Sequence, residues 1–428
     1  MSSDRAPEGP RAVRLVGLDG LRGLAAVAVL ANHTAEHASG VDAGPLRILL
    51  ELGAQGLTVF FVLSGFLLYR PFAAAVLDGA PLPATGRYLR NRALRILPAY
   101  WVVLLLAGFV LGLAYLHGDT MYFTRPGDVG RLTDPLTAAA NLLLVQTFLP
   151  ATMLTGIATA WSLTTEVSFY LVLPLLAAGA AALARRALAP RIAALAPAVL
   201  LLATGAVFVL ALTATKAHLD QTASWYASWG PTGSAVLERS LLTQAALFGL
   251  GMLVAWAVEV RRRSGRFFLA PLMRGLLLSL ALAVAARGVL EDLVGNNVLG
   301  VAAAVVLYTV VLPTSAGRAS LLTRLLDTRA LRGLGEISYS VYLWHLPVIT
   351  WLVVSGWARP GPLGLVANVG VVLPVTLALA TATYLLVERP ALRLKGRART
   401  SGRAPAGGAV VPAGAVDPRD VVATGTPA

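Results

Sequence analysis

The chain has 428 residues, 57% of them hydrophobic and 13% charged, with a formal net charge of +14. A soluble domain carries about 25% charged residues, and so few charges cannot cover this much apolar surface. The composition excludes a soluble enzyme, a disordered chain and a secreted disulfide scaffold, and leaves a polytopic membrane protein. With no cysteine, thiolate nucleophiles and cysteine zinc sites are excluded too. The cationic excess, 33 Arg with Lys216 and Lys395, reads as loop charge on the cytoplasmic side rather than as a nucleic-acid surface.

Residues 1–14 read as a short cytoplasmic N-terminal arm. Apolar stretches able to cross about 30 Å of hydrocarbon follow at 15–34, 52–69, 97–117, 162–184, 194–214, 241–260, 271–290, 296–313, 335–355 and 364–387. They predict an all-α integral membrane protein with ten transmembrane helices over 15–392. The stretch 136–149 is too short to span and is expected to be re-entrant or a half-helix. With ten spans, 28 of the 35 basic residues face the cytoplasm together with both termini. Counting 136–149 as a span would export the Arg261–Arg263 cluster. From 393 to 428 the chain turns to Pro, Gly, Ala and Thr and is expected to be a disordered cytoplasmic tail.

Ionisable residues inside spans are costly and therefore functional candidates. The first span carries Asp19, Arg22 and His33. Arg22 and His33 stand nearly on one face, about 16 Å apart along the axis, and Asp19 is one turn from Arg22 and can pair with it. The bland alternative has Arg22 snorkelling to the interface and His33 at the outer helix end. Between the second and third spans, Arg87, Arg90, Arg92 and Arg95 read equally as topology signals, as a phosphate clamp or as partners of anionic lipid headgroups. The fourth span opens WSLTTEVSFY, which puts Ser162, Glu166 and Tyr170 on one face; Glu166 is a base, a substrate ligand or a charge favoured by the helix dipole. The ninth span aligns Ser338, Tyr342 and His345 two residues before Pro347, so part of that stripe is open to helix repair.

These blocks resemble the membrane-bound acyltransferase family 3, the bacterial O-acyltransferases, over residues 15 to 392. The resemblance rests on Arg22 and His33 within LDGLRG, on FFVLSGF at Phe60 to Phe66 with Ser64, and on Arg92 and Arg95. It continues through Trp161 to Tyr170 and ISYSVYLWHLP at Ile337 to Pro347, and ends on Glu388-Arg389-Pro390. It implies ten spans, an acyl-coenzyme A (acyl-CoA) donor entering from the cytoplasm, and transfer, with acetyl the expected group, to a hydroxyl of a carbohydrate, cell-envelope glycan or glycosylated metabolite. The chain looks like the stand-alone form, without the hydrolase-like C-terminal domain of some members. Imidazole suits the base. His33 is therefore the candidate catalytic residue, either as direct base or as acyl carrier, with Arg22 and Glu166 supporting it. Arg92 and Arg95 are expected at the donor phosphates, with Asp19, Ser64, Ser162, Tyr170, Ser338, Tyr342 and His345 around the acceptor. No metal and no tightly bound cofactor is expected. The outer loops 118–160 and 215–240, with Trp225, Tyr226 and Trp229, suit an acceptor sugar. Two other classes fit buried His, Glu and Arg in such a bundle: a proton-coupled transporter or flippase, and a non-catalytic relative that binds glycan.

Overall fold

In the computed structural model, residues 16–41, 44–117, 127–220, 225–264, 292–311 and 320–395 are described. The expected N-terminal arm, the span expected at 271–290 and the tail beyond Lys395 lie outside them. The described part is about 82% helical, and its sheet structure is one two-residue ribbon, β1 (Ala114–Tyr115) antiparallel to β2 (Val129–Gly130). Eight helical segments among the described residues are long and apolar enough to cross a membrane.

The first expected span is α1 (Leu18–Thr34), continued by a π-helical turn at Ala35–Ser39. Short α2 (Pro45–Ala54) leads into α3 (Gly56–Leu77), and α4 (Thr85–Leu104) runs into a second π turn. The stretch expected at 136–149 is α5 (Pro135–Leu142), started by the Asp134 side chain accepting from the Thr137 N–H, followed by a 3-10 turn at Gln146–Phe148. The long helices α6 (Trp161–Arg186) and α7 (Pro190–His218) follow. Two short helices, α8 (Trp225–Trp229) and α9 (Gly233–Arg239), precede α10 (Leu241–Ser264). The rest are α11 (Asp292–Val311), α12 (Leu321–Leu326), α13 (Arg329–Val354, capped by Thr328), α14 (Gly361–Thr383) and, after a third π turn at Tyr384–Glu388, α15 (Arg389–Arg393).

Two helix crossings fix the bundle, and both depend on glycine for backbone approach. On α3 and α10, a methyl group at Gly65 would stand 2.2 Å from the Phe248 carbonyl oxygen and one at Gly251 only 1.9 Å from that of Val62. On α1 and α13, a methyl at Gly335 would stand 1.9 Å from the Asp19 carbonyl oxygen. Small residues at such crossings are how helices pack where lipid removes the usual hydrophobic drive. Phe66, Tyr69, Phe72, Phe169 and Phe248 fill the interior, while Leu175, Leu363 and Leu386 point outward and exposed, as suits an apolar solvent.

Candidate active site

A cavity of about 130 Å³ lies between α1, α3, α4, α6 and α13. Its polar lining collects Arg22, Ser64, Arg92 and Arg95 with Ser162, Glu166, Tyr170, Ser338 and Tyr342; Phe60, Phe61 and Leu67 are among its apolar walls. Helical spacing places them: Ser162, Glu166 and Tyr170 recur every four residues on α6, and Arg92 and Arg95 are one turn apart on α4. The α1–α13 crossing at Asp19 and Gly335 sets Arg22 beside Ser338 at the same wall. Asp19 itself stays outside the cavity, within electrostatic reach of Arg22.

Ser64 Oγ donates to Glu166 Oε1 at 2.5 Å. The Ser162 and Tyr342 hydroxyls are 2.8 Å apart, and both reach the Thr159 carbonyl oxygen, at 3.1 and 3.0 Å. Ser338 spends its hydroxyl on the Gly335 carbonyl at 2.8 Å. The two arginines of the Arg-x-x-Arg pair differ. Arg95 Nη1 is ion-paired with Glu388, which is 1% exposed and also accepts from Ser340 Oγ at 3.0 Å. Arg92 forms no ion pair among the described residues, and its buried Nε has no partner. Lys395 lies within electrostatic range of these arginines; burial, then the Arg92 and Arg95 cations, push its amine down to about 8.

His33 and His345 do not line the cavity. They sit behind Tyr342, whose ring is 5.5 Å from that of His345. His33 Nδ1 and His345 Nε2 are 2.9 Å apart with the rings stacked, and His345 Nδ1 lies 2.7 Å from the Tyr342 carbonyl oxygen. That oxygen only accepts, so His345 Nδ1 carries hydrogen. Neutral His345 then accepts at Nε2, His33 Nδ1–H donates to it, and His33 Nε2 is the basic nitrogen of the pair. The partner of His33 is His345, and Glu166 is held by Ser64. His345 bonds the Tyr342 carbonyl and not that of Leu343, the one Pro347 leaves without its helical donor.

The geometry is that of a cationic, hydroxyl-lined cavity with a histidine pair behind it. A family model described as an acyltransferase domain matches residues 15–385. The chain belongs to this acyltransferase family. Among curated relatives, acyltransferase MdmB of Streptomyces mycarofaciens is 31% identical over 91% of this chain and 95% of its own. Nodulation protein 10 of Rhizobium leguminosarum bv. viciae is 28% identical over 81% and 84%. No solved structure matches. The protein is therefore an acyltransferase, and its apolar helices make it a multi-pass membrane enzyme.

For this acyltransferase, sequence reasoning gave no role to four relevant groups. Glu388 entered it only within the Glu388-Arg389-Pro390 block, and its carboxylate is buried. Tyr339 lines the cavity with its ring 5.8 Å from the Arg95 guanidinium. His37, one turn after His33, has its ring 5.7 Å away; the i, i+4 spacing was the available signal. Lys395 had none, because its neighbours come from α4. At the cavity wall, Phe61 meets Trp161 at 6.2 Å between rings. Arg239 bridges Trp161 and Trp229, with its guanidinium 5.6 and 4.0 Å from the two rings. Lys216 is ion-paired with Glu238 and donates to Ser228 at 2.6 Å. Tyr226 and Trp229 stay exposed, and the side chain of Trp225 lies outside the described residues. Among those residues no group of three or more His, Cys, Asp or Glu side chains is placed to hold a metal ion.

Proposed function

We propose that the protein transfers a short acyl group such as acetyl from acyl-CoA, bound at the cytoplasmic end of the cavity, to a hydroxyl of a carbohydrate, cell-envelope glycan or glycosylated metabolite. It does so in the bacterial cytoplasmic membrane, with ten spans and both termini cytoplasmic. The observation that carries this reading is one cavity that places Arg22, Arg92 and Arg95 at its wall and ends at Tyr342, directly before the His33–His345 pair. Guanidinium forks suit the phosphates of coenzyme A, and 130 Å³ suits a small acyl end.

In the proposed step, His33 Nε2 takes the proton from the acceptor hydroxyl, and its imidazolium is steadied through Nδ1–H by His345. The acceptor oxygen bonds to the thioester carbonyl carbon, and Arg22 offsets charge developing on the carbonyl oxygen. The carbon–sulfur bond breaks, the sulfur leaves with the bonding pair, and His33 returns its proton to give the coenzyme A thiol. Glu166, held by Ser64, is placed to accept from acceptor hydroxyls. The aromatic residues Trp161 and Trp229 support sugar entry from the outer loops.

Mass spectrometry of envelope glycans and secreted metabolites tests the reading. A deletion strain is expected to lose one acyl mass from a hydroxylated glycan or glycoside, restored by the native gene and not by His33→Ala. An unchanged profile in all three strains overturns it.

A further inference from the structure

The Arg-x-x-Arg pair faces one cavity, yet its members carry different loads. Arg95 comes from α4, and Glu388 from the π turn that closes α14. Ser340 on α13 supplies the second hydrogen bond to the carboxylate. Glu388 is thus a buried carboxylate tied to two other elements at the cavity wall, delivered by a π turn, a backbone irregularity that recurs at functional sites. A buried ion pair adds little stability over an apolar packing of the same volume, so stability alone is a weak reason for this one. Around it stand the cations Arg22 and Lys395, both within electrostatic range of Glu388 and Arg95, and Arg92, within range of Lys395. Arg92 keeps a buried Nε with no partner, and the Tyr88 hydroxyl, one turn before it on α4, is buried without one too.

We infer that Arg92 is the anion ligand of the cavity, whereas Arg95 is a guanidinium held in position and partly neutralised by Glu388, which thereby sets how strongly the cavity draws the phosphates of the donor. This rests on the acyl-CoA reading above. Glu388 engages Nη1 of Arg95 and fixes the plane of the fork, leaving its other N–H groups toward the cavity. Glu388 is a positioning residue: it acts on the donor through Arg95.

The test is coenzyme A binding to the purified full-length protein in nanodiscs, with steady-state KM and kcat alongside. Arg92→Gln is expected to weaken coenzyme A binding by about 10-fold or more and Arg95→Gln by about 3-fold or less, because a charge-assisted contact is lost in one case and an already neutralised one in the other. The two Glu388 variants are expected to move in opposite directions. Glu388→Gln keeps an oxygen for Nη1 but removes the cancelling charge, and tightens binding by about 3-fold. Glu388→Ala frees the fork and weakens binding, with the change in donor KM and not in kcat. A merely structural Glu388 would lower stability in both variants with no sign reversal, and that result overturns the inference, as does equal loss in the two arginine variants. If the Glu388 variants fail to insert, the arginine comparison decides alone. Unchanged binding in both arginine variants would instead overturn the acyl-CoA reading on which it stands.

Discussion

The hydrogen on His33 is fixed by groups outside its own helix. The Tyr342 carbonyl sets His345, and His345 sets His33, which leaves Nε2 of His33 as the basic nitrogen that the proposed step uses. Removing the base altogether, His33→Ala, is expected to lower acyl transfer by about 10²- to 10⁴-fold. His345→Phe keeps an aromatic ring but offers no acceptor, so the His33 tautomer is no longer held. Its kcat is expected to fall by about 10²-fold with donor KM unchanged, measured as labelled product per unit of inserted protein. Within electrostatic range of Arg92 and Arg95, Lys395 carries charge below a pH of about 8 and loses it above. Donor KM is therefore expected to rise as pH passes upward through 8, and Lys395→Gln should show the raised KM at all pH values with that inflection gone. The face formed by Ser162, Glu166 and Tyr170 was legible in the sequence because residues four apart on one helix share a face. The His33–His345 pair was not, since its members are 312 positions apart, and neither was the burial of Glu388, which follows from α4 and α13 closing over it.

Elements act here through where they cross. Gly65 and Gly251 let α3 and α10 touch backbone to backbone, and that contact holds Ser64 against α6, where Glu166 waits for its hydroxyl. Gly251→Val forces a side chain into the Val62 carbonyl and is expected to cost about 1–3 kcal/mol, read as a lower thermal midpoint in detergent. Past the far end of this crossing, Glu259 is buried on α10 and accepts from Arg70 at 2.7 Å and Arg263 at 2.8 Å, while Arg263 reaches Asp78 at 2.5 Å. Apolar run lengths announced the spans. They could not announce that α13 starts earlier than its apolar run, at Arg329, because that start is set by the Thr328 cap. Nor do run lengths reveal π turns, which are read only in the hydrogen-bond pattern of the folded helix.

The whole molecule sets a histidine pair behind the Tyr342 wall of a cavity that Arg22, Arg92 and Arg95 also line, an arrangement that fits the proposed donor and acceptor arriving from different sides. Its sidedness can be read directly because the chain has no cysteine of its own. Single cysteines at Arg90 and at Tyr226 are expected to label with an impermeant maleimide from opposite faces of sealed vesicles, Arg90→Cys from the cytoplasmic face. Labelling of both from one face would break the ten-span topology. The central claim is that donor binding at the cavity arginines and chemistry at His33, behind Tyr342, are separate functions. The most direct measurement compares His33→Ala with native protein in proteoliposomes, following coenzyme A binding and transfer from labelled acetyl-coenzyme A in the same preparation. The account predicts native binding with transfer lost; transfer at the native rate by His33→Ala would contradict it.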